Sequence, residues 1–208
     1  MLSIIQAAGW PIWPLIASSV LAMAIIFERF ISLKTSKVAP PHLLSEVLGV
    51  ARNGLPSPEV VAQLENDSAL GEVLASGFRA LKADPLCSSE ELREQMESTG
   101  RAVVQRLELH LTALATIASA APLMGLFGTL VGMIEIFGSQ TPGDLSGGNP
   151  AQLAQGISIA LYNTAFGLVV AIPSLIFWRY FRARVDAYVL TLELAAQHLA
   201  RHLRQPRR

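Results

Sequence analysis

Four polar side chains, Thr129, Ser158, Asn163 and Thr164, stand inside two long apolar stretches. A hydroxyl or amide among aliphatic residues is costly in lipid unless it finds a hydrogen-bond partner or faces a wet cavity. The two stretches run from about Leu111 to Phe137 and from about Leu153 to Trp178, and the Gly/Pro-rich segment between them holds no Lys or Arg. A water-soluble domain has no use for such a pair, whereas a membrane channel for a small ion does. Counted inward from the outer ends at 1.5 Å per residue, Thr129 and Thr164 lie roughly 12 and 16 Å deep, at similar depth. Asn163 is the costliest of the four to bury, so it should face protein or a wet cavity. Thr129 has an alternative role, a hydroxyl bonded back to a carbonyl one turn earlier. Glu135, the one carboxylate inside these spans, sits at the outer end. It reads either as a solvated interface residue or as an acidic mouth that attracts cations.

The elements that must hold these groups are helices. Gly128 and Gly132 form a GxxxG pair, with Gly125 three residues before it, and Gly156 and Gly167 punctuate the last span. Small residues let helix backbones approach closely in lipid. Pro122 and Pro173 each remove a backbone donor and are expected to kink their helices.

A bilayer core about 30 Å thick needs ~20 apolar helical residues. A third stretch, from about Ile12 to Phe27 and flanked by Trp10 and Trp13, also qualifies. It lacks a basic leader and a small-x-small cleavage site, so it reads as an uncleaved anchor. Lys and Arg are absent from residues 1–11 and 138–150 but frequent after the first span (Arg29, Lys34, Lys37, Arg52), before the second (Arg93, Arg101, Arg106) and after the third. By the positive-inside bias the N-terminus is outside and the C-terminus is cytoplasmic. Trp10 and Trp13 suit the outer interface. The expected organisation is an N-terminal segment with the first span (1–30), a cytoplasmic helical region (31–110), the second span (111–137), a periplasmic loop (138–150), the third span (151–178) and a cytoplasmic helical tail (179–208). The expected fold is an all-α integral membrane protein with three transmembrane helices and long cytoplasmic extensions.

Within the cytoplasmic part, Leu43, Leu44, Val47 and Leu48 form one apolar stripe, closed by Gly54 and the Pro56/Pro58 pair. Leu70, Val73, Leu74, Phe78 and Leu81 form another, capped at Asp67 or Ser68 and stopped by Asp84-Pro85. Ser88 and Glu91 match a capping box. From there the helical spacing runs into the second span with no break before Pro122, which predicts one helix of ~50 residues, about 75 Å long. In the tail, Val185, Val189, Leu192, Ala196, Leu199 and Leu203 follow a four–three spacing, most simply a bundle core.

Hydrophobic residues make up 51% of the chain and charged residues 15%, which favours a membrane class. The net charge of zero gives no basic signature for nucleic acid. One cysteine, Cys87, excludes an internal disulfide. None of the four histidines lies deep in a span, and there is no metal-ligand spacing, phosphate loop or nucleophile constellation. No enzyme, metal or cofactor is expected. Three spans without an inverted repeat argue against a secondary transporter.

Two motifs carry a family resemblance: PLMGLFGTLVG from Pro122 to Gly132, and GISIALYNTAFGLVVAIP from Gly156 to Pro173. With the three-span layout, the large insert after the first span and Glu28-Arg29 at its edge, the chain resembles the ExbB/TolQ branch of the MotA/TolQ/ExbB proton-channel family. The resemblance implies a homopentamer in the bacterial inner membrane, with the second and third spans around a pore. It implies an ExbD- or TolR-like single-span partner in that pore, whose Asp takes and releases the proton, and a TonB- or TolA-like client. Thr129 and Thr164 fall on the family's two polar pore threonines. ExbB and TolQ proteins carry a Glu where this chain has Ile159. Ile cannot bind a proton, so a carboxylate relay from this chain is in question, and Asn163, one turn away on a similar face, is a candidate for replacing part of the missing polarity. Three roles stay open: an ExbB-like motor subunit, a TolQ-like subunit for outer-membrane integrity, and a non-conducting scaffold ring.

Overall fold

The structure, a computed structural model, describes residues 9–138 and 150–204, excepting the side chains of residues 53, 150–153, 159 and 204. The expectations for the extreme N-terminus, for the loop between the second and third spans and for the Ile159 side chain fall outside the described residues. Among those described there is helix and no strand. The helices are α1 (Ile12–Ser32), α2 (Thr35–Val38), α3 (Leu43–Asn53), α4 (Pro58–Asp67), α5 (Ala69–Ala83), α6 (Ser89–Glu108), α7 (Leu111–Gly138) and α8 (Pro150–Arg204). They fall into two compact units, one of the described residues up to Glu28 with His110–Tyr180, the other of Arg29–Leu109 with the residues from Phe181 onward.

In the first unit α1, α7 and α8 are long and apolar enough to cross a bilayer. Their outward faces are apolar: Val20, Met23 and Phe27 on α1, Leu126, Leu130 and Ile134 on α7, and Leu161, Val169 and Ile176 on α8 are all exposed. Water would penalise so much bare hydrocarbon, whereas lipid does not. The inward faces carry Ile12, Leu15, Ala22 and Ile25 of α1, and small residues of α7 and α8. Trp10 meets Phe127 edge-on, with ring centroids 5.9 Å apart.

The second unit is built on α5. Leu70, Val73, Leu74, Phe78 and Leu81 are all buried, as their spacing implies. Ser68 is the N-cap, its hydroxyl accepting the Gly71 N–H at 3.0 Å, and Asp84 ends the helix. Gly54, at φ 140°, ends α3 in backbone space that favours glycine. The capping box of α6 is formed: Ser88 Oγ accepts the Glu91 N–H at 3.1 Å, and Glu91 accepts the Ser88 N–H at 2.5 Å. Beside it, the Arg93 guanidinium bonds Glu90 and holds that carboxyl below its ordinary range. In the α8 tail, Val185, Leu192, Ala196 and Leu199 point into the bundle.

The ~50-residue helix expected from Ser88 onward is present as Ser89–Gly138, with its hydrogen-bond ladder locally tightened where Leu109 keeps helical dihedrals (φ −45°, ψ −48°). A two-residue turn at Leu109 and His110 marks the border of α6 and α7. A side chain enters the ladder at this point, a recognised source of helix irregularity. Arg29, only 4% exposed, donates from Nη1 to the Leu107 carbonyl at 2.8 Å. In a regular α-helix that carbonyl would accept the Leu111 N–H. The Leu109 N–H instead closes a tighter turn onto Arg106 O at 3.4 Å.

Candidate functional site

The polar residues of the second and third spans surround a seam where α7 and α8 run at backbone contact. A Cβ placed on Gly125 would lie 2.8 Å from the Asn163 carbonyl oxygen and 3.0 Å from Thr164 Cα. One placed on Gly167 would lie 2.6 Å from the Ala121 carbonyl oxygen and 3.1 Å from Gly125 Cα. One on Gly132 would meet Ala160 Cβ at 3.3 Å, and one on Gly156 would meet the Ile136 side chain. The seam therefore sets Ala121 and Gly125 against Gly167, Gly125 and Gly128 against Asn163, Gly132 against Ala160 and Ile136 against Gly156, in the three- and four-residue steps that keep one helix face in register with another. Any larger residue at its centre would separate the backbones.

Asn163 is the polar member of this seam. It is 2% exposed, and the space above Gly128 is filled by its Cβ, Cγ and Nδ2, each within 2.9 Å of where a Cβ would stand. The structure thus places Asn163 between the two helices of one chain.

The two threonines flank the seam. Thr129 follows Gly128 directly and is half-buried; its Oγ1 donates to the Leu126 carbonyl at 2.7 Å. This is the local back-bond anticipated as one of its two roles, and it leaves the hydroxyl oxygen's lone pairs as acceptors. Thr164 follows Asn163 and is also half-buried. Ser158 and Glu135 are exposed and lie off the seam. Ser174, 1% exposed, bonds its hydroxyl to the Val170 carbonyl at 2.7 Å beside Pro173. Pro122 and Pro173 both lie inside their helices, which continue through them. No group of three or more His, Cys, Asp or Glu residues able to hold a metal occurs among the described residues.

Sequence reasoning missed two features of the second unit. One is the buried Arg29, whose place in the α1 stripe, seven residues after Ala22 and four after Ile25, was the available signal. The other is the polar clasp on the end of α1: Tyr188 donates to the Leu33 carbonyl at 2.9 Å, and Arg184 reaches the Tyr188 hydroxyl at 2.7 Å and Thr35 at 3.2 Å. The pairing of Arg184 with Tyr188 at i,i+4 was legible; their target was not.

Three long apolar helices with bare hydrocarbon on their outer faces and a small-residue seam between two of them define an all-helical membrane protein. The comparisons with known proteins are narrower. Residues 65–194 match the MotA/TolQ/ExbB proton channel family. The chain is 31% identical over 178 residues to the biopolymer transport protein ExbB-like 3 of Synechocystis, covering 86% of this chain and 83% of that one. It is 30% identical over 195 residues to the biopolymer transport protein ExbB of Salmonella typhimurium (89% and 77%) and 28% identical over 186 residues to the Tol-Pal system protein TolQ of Pseudomonas aeruginosa (84% and 78%). The chain belongs to the MotA/TolQ/ExbB proton channel family, in its ExbB/TolQ branch.

Proposed function

We propose that this chain is the ring-forming subunit of a proton-driven motor of the bacterial inner membrane. Five copies assemble with the N-terminus outside and the bulk of the second unit in the cytoplasm. An ExbD- or TolR-like partner occupies the lumen and carries the titrating Asp, and a TonB- or TolA-like protein receives the work, for TonB-dependent outer-membrane transport. The observation that carries this reading is the pairing of family membership with the α7–α8 seam, whose two flanking threonines are half-buried in the isolated chain.

The physical role of the threonines follows from the cost of a buried charge. An ionised Asp in an apolar lumen is prohibitively unfavourable, and a polar station lowers that cost. Thr129 and Thr164 supply such stations, and protonation lets the partner helix leave them neutral. One charge moved through 100 mV releases about 2.3 kcal/mol, so several protons per cycle bias a rotation or rocking of the partner. Asn163, one turn from Ile159, supplies polarity from within the helix pair; coupled transport that survives Asn163→Leu would remove it from the mechanism.

A second reading is favoured by one residue. Ile159 stands where the family carries Glu, which suits a ring that stabilises its partner without conducting. Co-reconstitution of the chain with its single-span partner in liposomes, with an internal pH dye, separates the two. Proton flux that depends on the partner's Asp supports the motor; a sealed ring with its partner bound supports the scaffold. A client of the TolA type instead of the TonB type would place the chain in outer-membrane integrity.

A further inference from the structure

We propose that the second unit carries a docking groove for a basic amphipathic helix of a partner protein, lying across α3, α4 and α5. The groove has a volume of about 300 Å³, with Val47, Val50, Val61, Leu64 and Phe78 in its apolar lining and Glu46 and Asp67 among the residues around it. It is built from a helix that lacks cover of its own. α4 has no buried residue, although Val60, Val61 and Leu64 sit on one of its faces, and Val60 is 46% exposed. Exposed Leu55 extends the bare apolar surface beside it.

The charge around the groove selects the occupant. Residues 43–67 hold Glu46, Glu59, Glu65 and Asp67 against a single basic residue, Arg52. Glu65 is satisfied by Arg79 at 2.9 Å. Glu46, Glu59 and Asp67 make no ion pair among the described residues. Acids beside an unfilled apolar trough complement an amphipathic helix with aliphatic residues on one face and Lys or Arg at its margins. The same acids repel anionic lipid headgroups, so a membrane surface is a poor occupant. In a ring, a second copy would meet this face with a different surface of its own, and the crosslinking below separates that occupant from a partner protein.

The test uses the full-length protein in phosphatidylcholine nanodiscs. The probe is a fluorescent 16-residue Leu/Lys peptide patterned as an amphipathic helix, read by anisotropy with empty nanodiscs subtracted. Saturable binding is expected, weakened at least tenfold in Glu46→Lys/Asp67→Lys and at least tenfold when Glu replaces Lys in the peptide, with a marked loss at high salt. Glu46→Gln/Asp67→Asn, a milder change that keeps side-chain size, is expected to weaken binding at least threefold. Equal affinity for the wild type and for the neutral variant, or no binding above empty nanodiscs, overturns the proposal. A benzophenone attached at Val60→Cys identifies the occupant in the native membrane. Crosslinking to a segment with basic residues on one helical face, lost in Glu46→Lys/Asp67→Lys, supports the proposal; crosslinking to a second copy of this chain, to lipid or to nothing overturns it.

Discussion

Asn163 occupies the space that a side chain at residue 128 would need. A methyl group on Gly128 would stand 2.8 Å from the Asn163 Cβ and 2.9 Å from its Nδ2. The costliest polar residue of the third span and a glycine of the second are thus two halves of one contact. Gly128→Leu should destabilise the α7–α8 pair by about 1–3 kcal/mol, the usual cost of overpacking. Gly128→Ala should cost less, and Asn163→Ala combined with Gly128→Ala should recover part of the loss because the two changes share one space. Thermal unfolding of the wild type, Gly128→Leu, Gly128→Ala, Asn163→Ala and the double variant in one detergent checks this; strict additivity of the Gly128→Ala and Asn163→Ala changes would contradict the contact.

The threonines make a different prediction. Thr129→Val removes the bond to Leu126 O and the acceptor lone pairs while keeping the volume. Thr129→Val and Thr164→Val should each preserve assembly and cut proton-coupled transport at least tenfold. Native-gel size and dye-reported flux measured on the same preparation separate these outcomes. Loss of the assembly with the flux would assign the hydroxyls to packing alone.

Arg29 should be far less tolerant than a charged residue at the edge of a span usually is. Its guanidinium is buried and bonds a main-chain carbonyl 78 residues away. Arg29→Met leaves the Leu107 carbonyl without that donor and is expected to cost about 1–3 kcal/mol. Hydrogen exchange at the Leu109–Leu111 amides should change as well, since they lie beside the carbonyl that loses its donor. Unaltered exchange there would mean that the Arg29 bond does not steady the turn.

Gly71 offers a test confined to the second unit. A Cβ there would lie 2.1 Å from the Leu64 carbonyl oxygen, a backbone atom that cannot swing aside. Gly71→Ala should therefore push α4 away from α5 and lower the melting temperature, whereas Gly49→Ala, with open space around it, should raise helix stability slightly. Equal effects of the two substitutions would argue against the close crossing.

Local signals in the sequence were strong wherever a residue's role depends on its near neighbours. The Ser88/Glu91 box, the stop at Asp84-Pro85 and the buried stripe from Leu70 to Leu81 all stand where spacing puts them. The three apolar spans and the motif glycines were equally plain. What spacing could not convey was which distant group meets which. Nothing in the Arg29 neighbourhood names Leu107, and nothing near Gly71 names Leu64, because these contacts depend on how separate helices cross. Asn163 shows the boundary well: its cost in lipid demanded a protected site, but only the crossing of α7 and α8 selects Gly128 as the neighbour. The long helix from Ser89 to Gly138 was legible as well, while its tightened turn at Leu109 and His110 was not, as neither residue is a helix breaker.

Cys87 gives the chain an experimental advantage. It is the sole thiol in 208 residues and is 8% exposed, tucked at the turn before α6. Maleimide and nitroxide reagents should find little background in the native protein, so cysteines introduced at chosen positions on the exposed helix faces or beside the α7–α8 seam can report distances by spin-label spectroscopy without first rebuilding the scaffold.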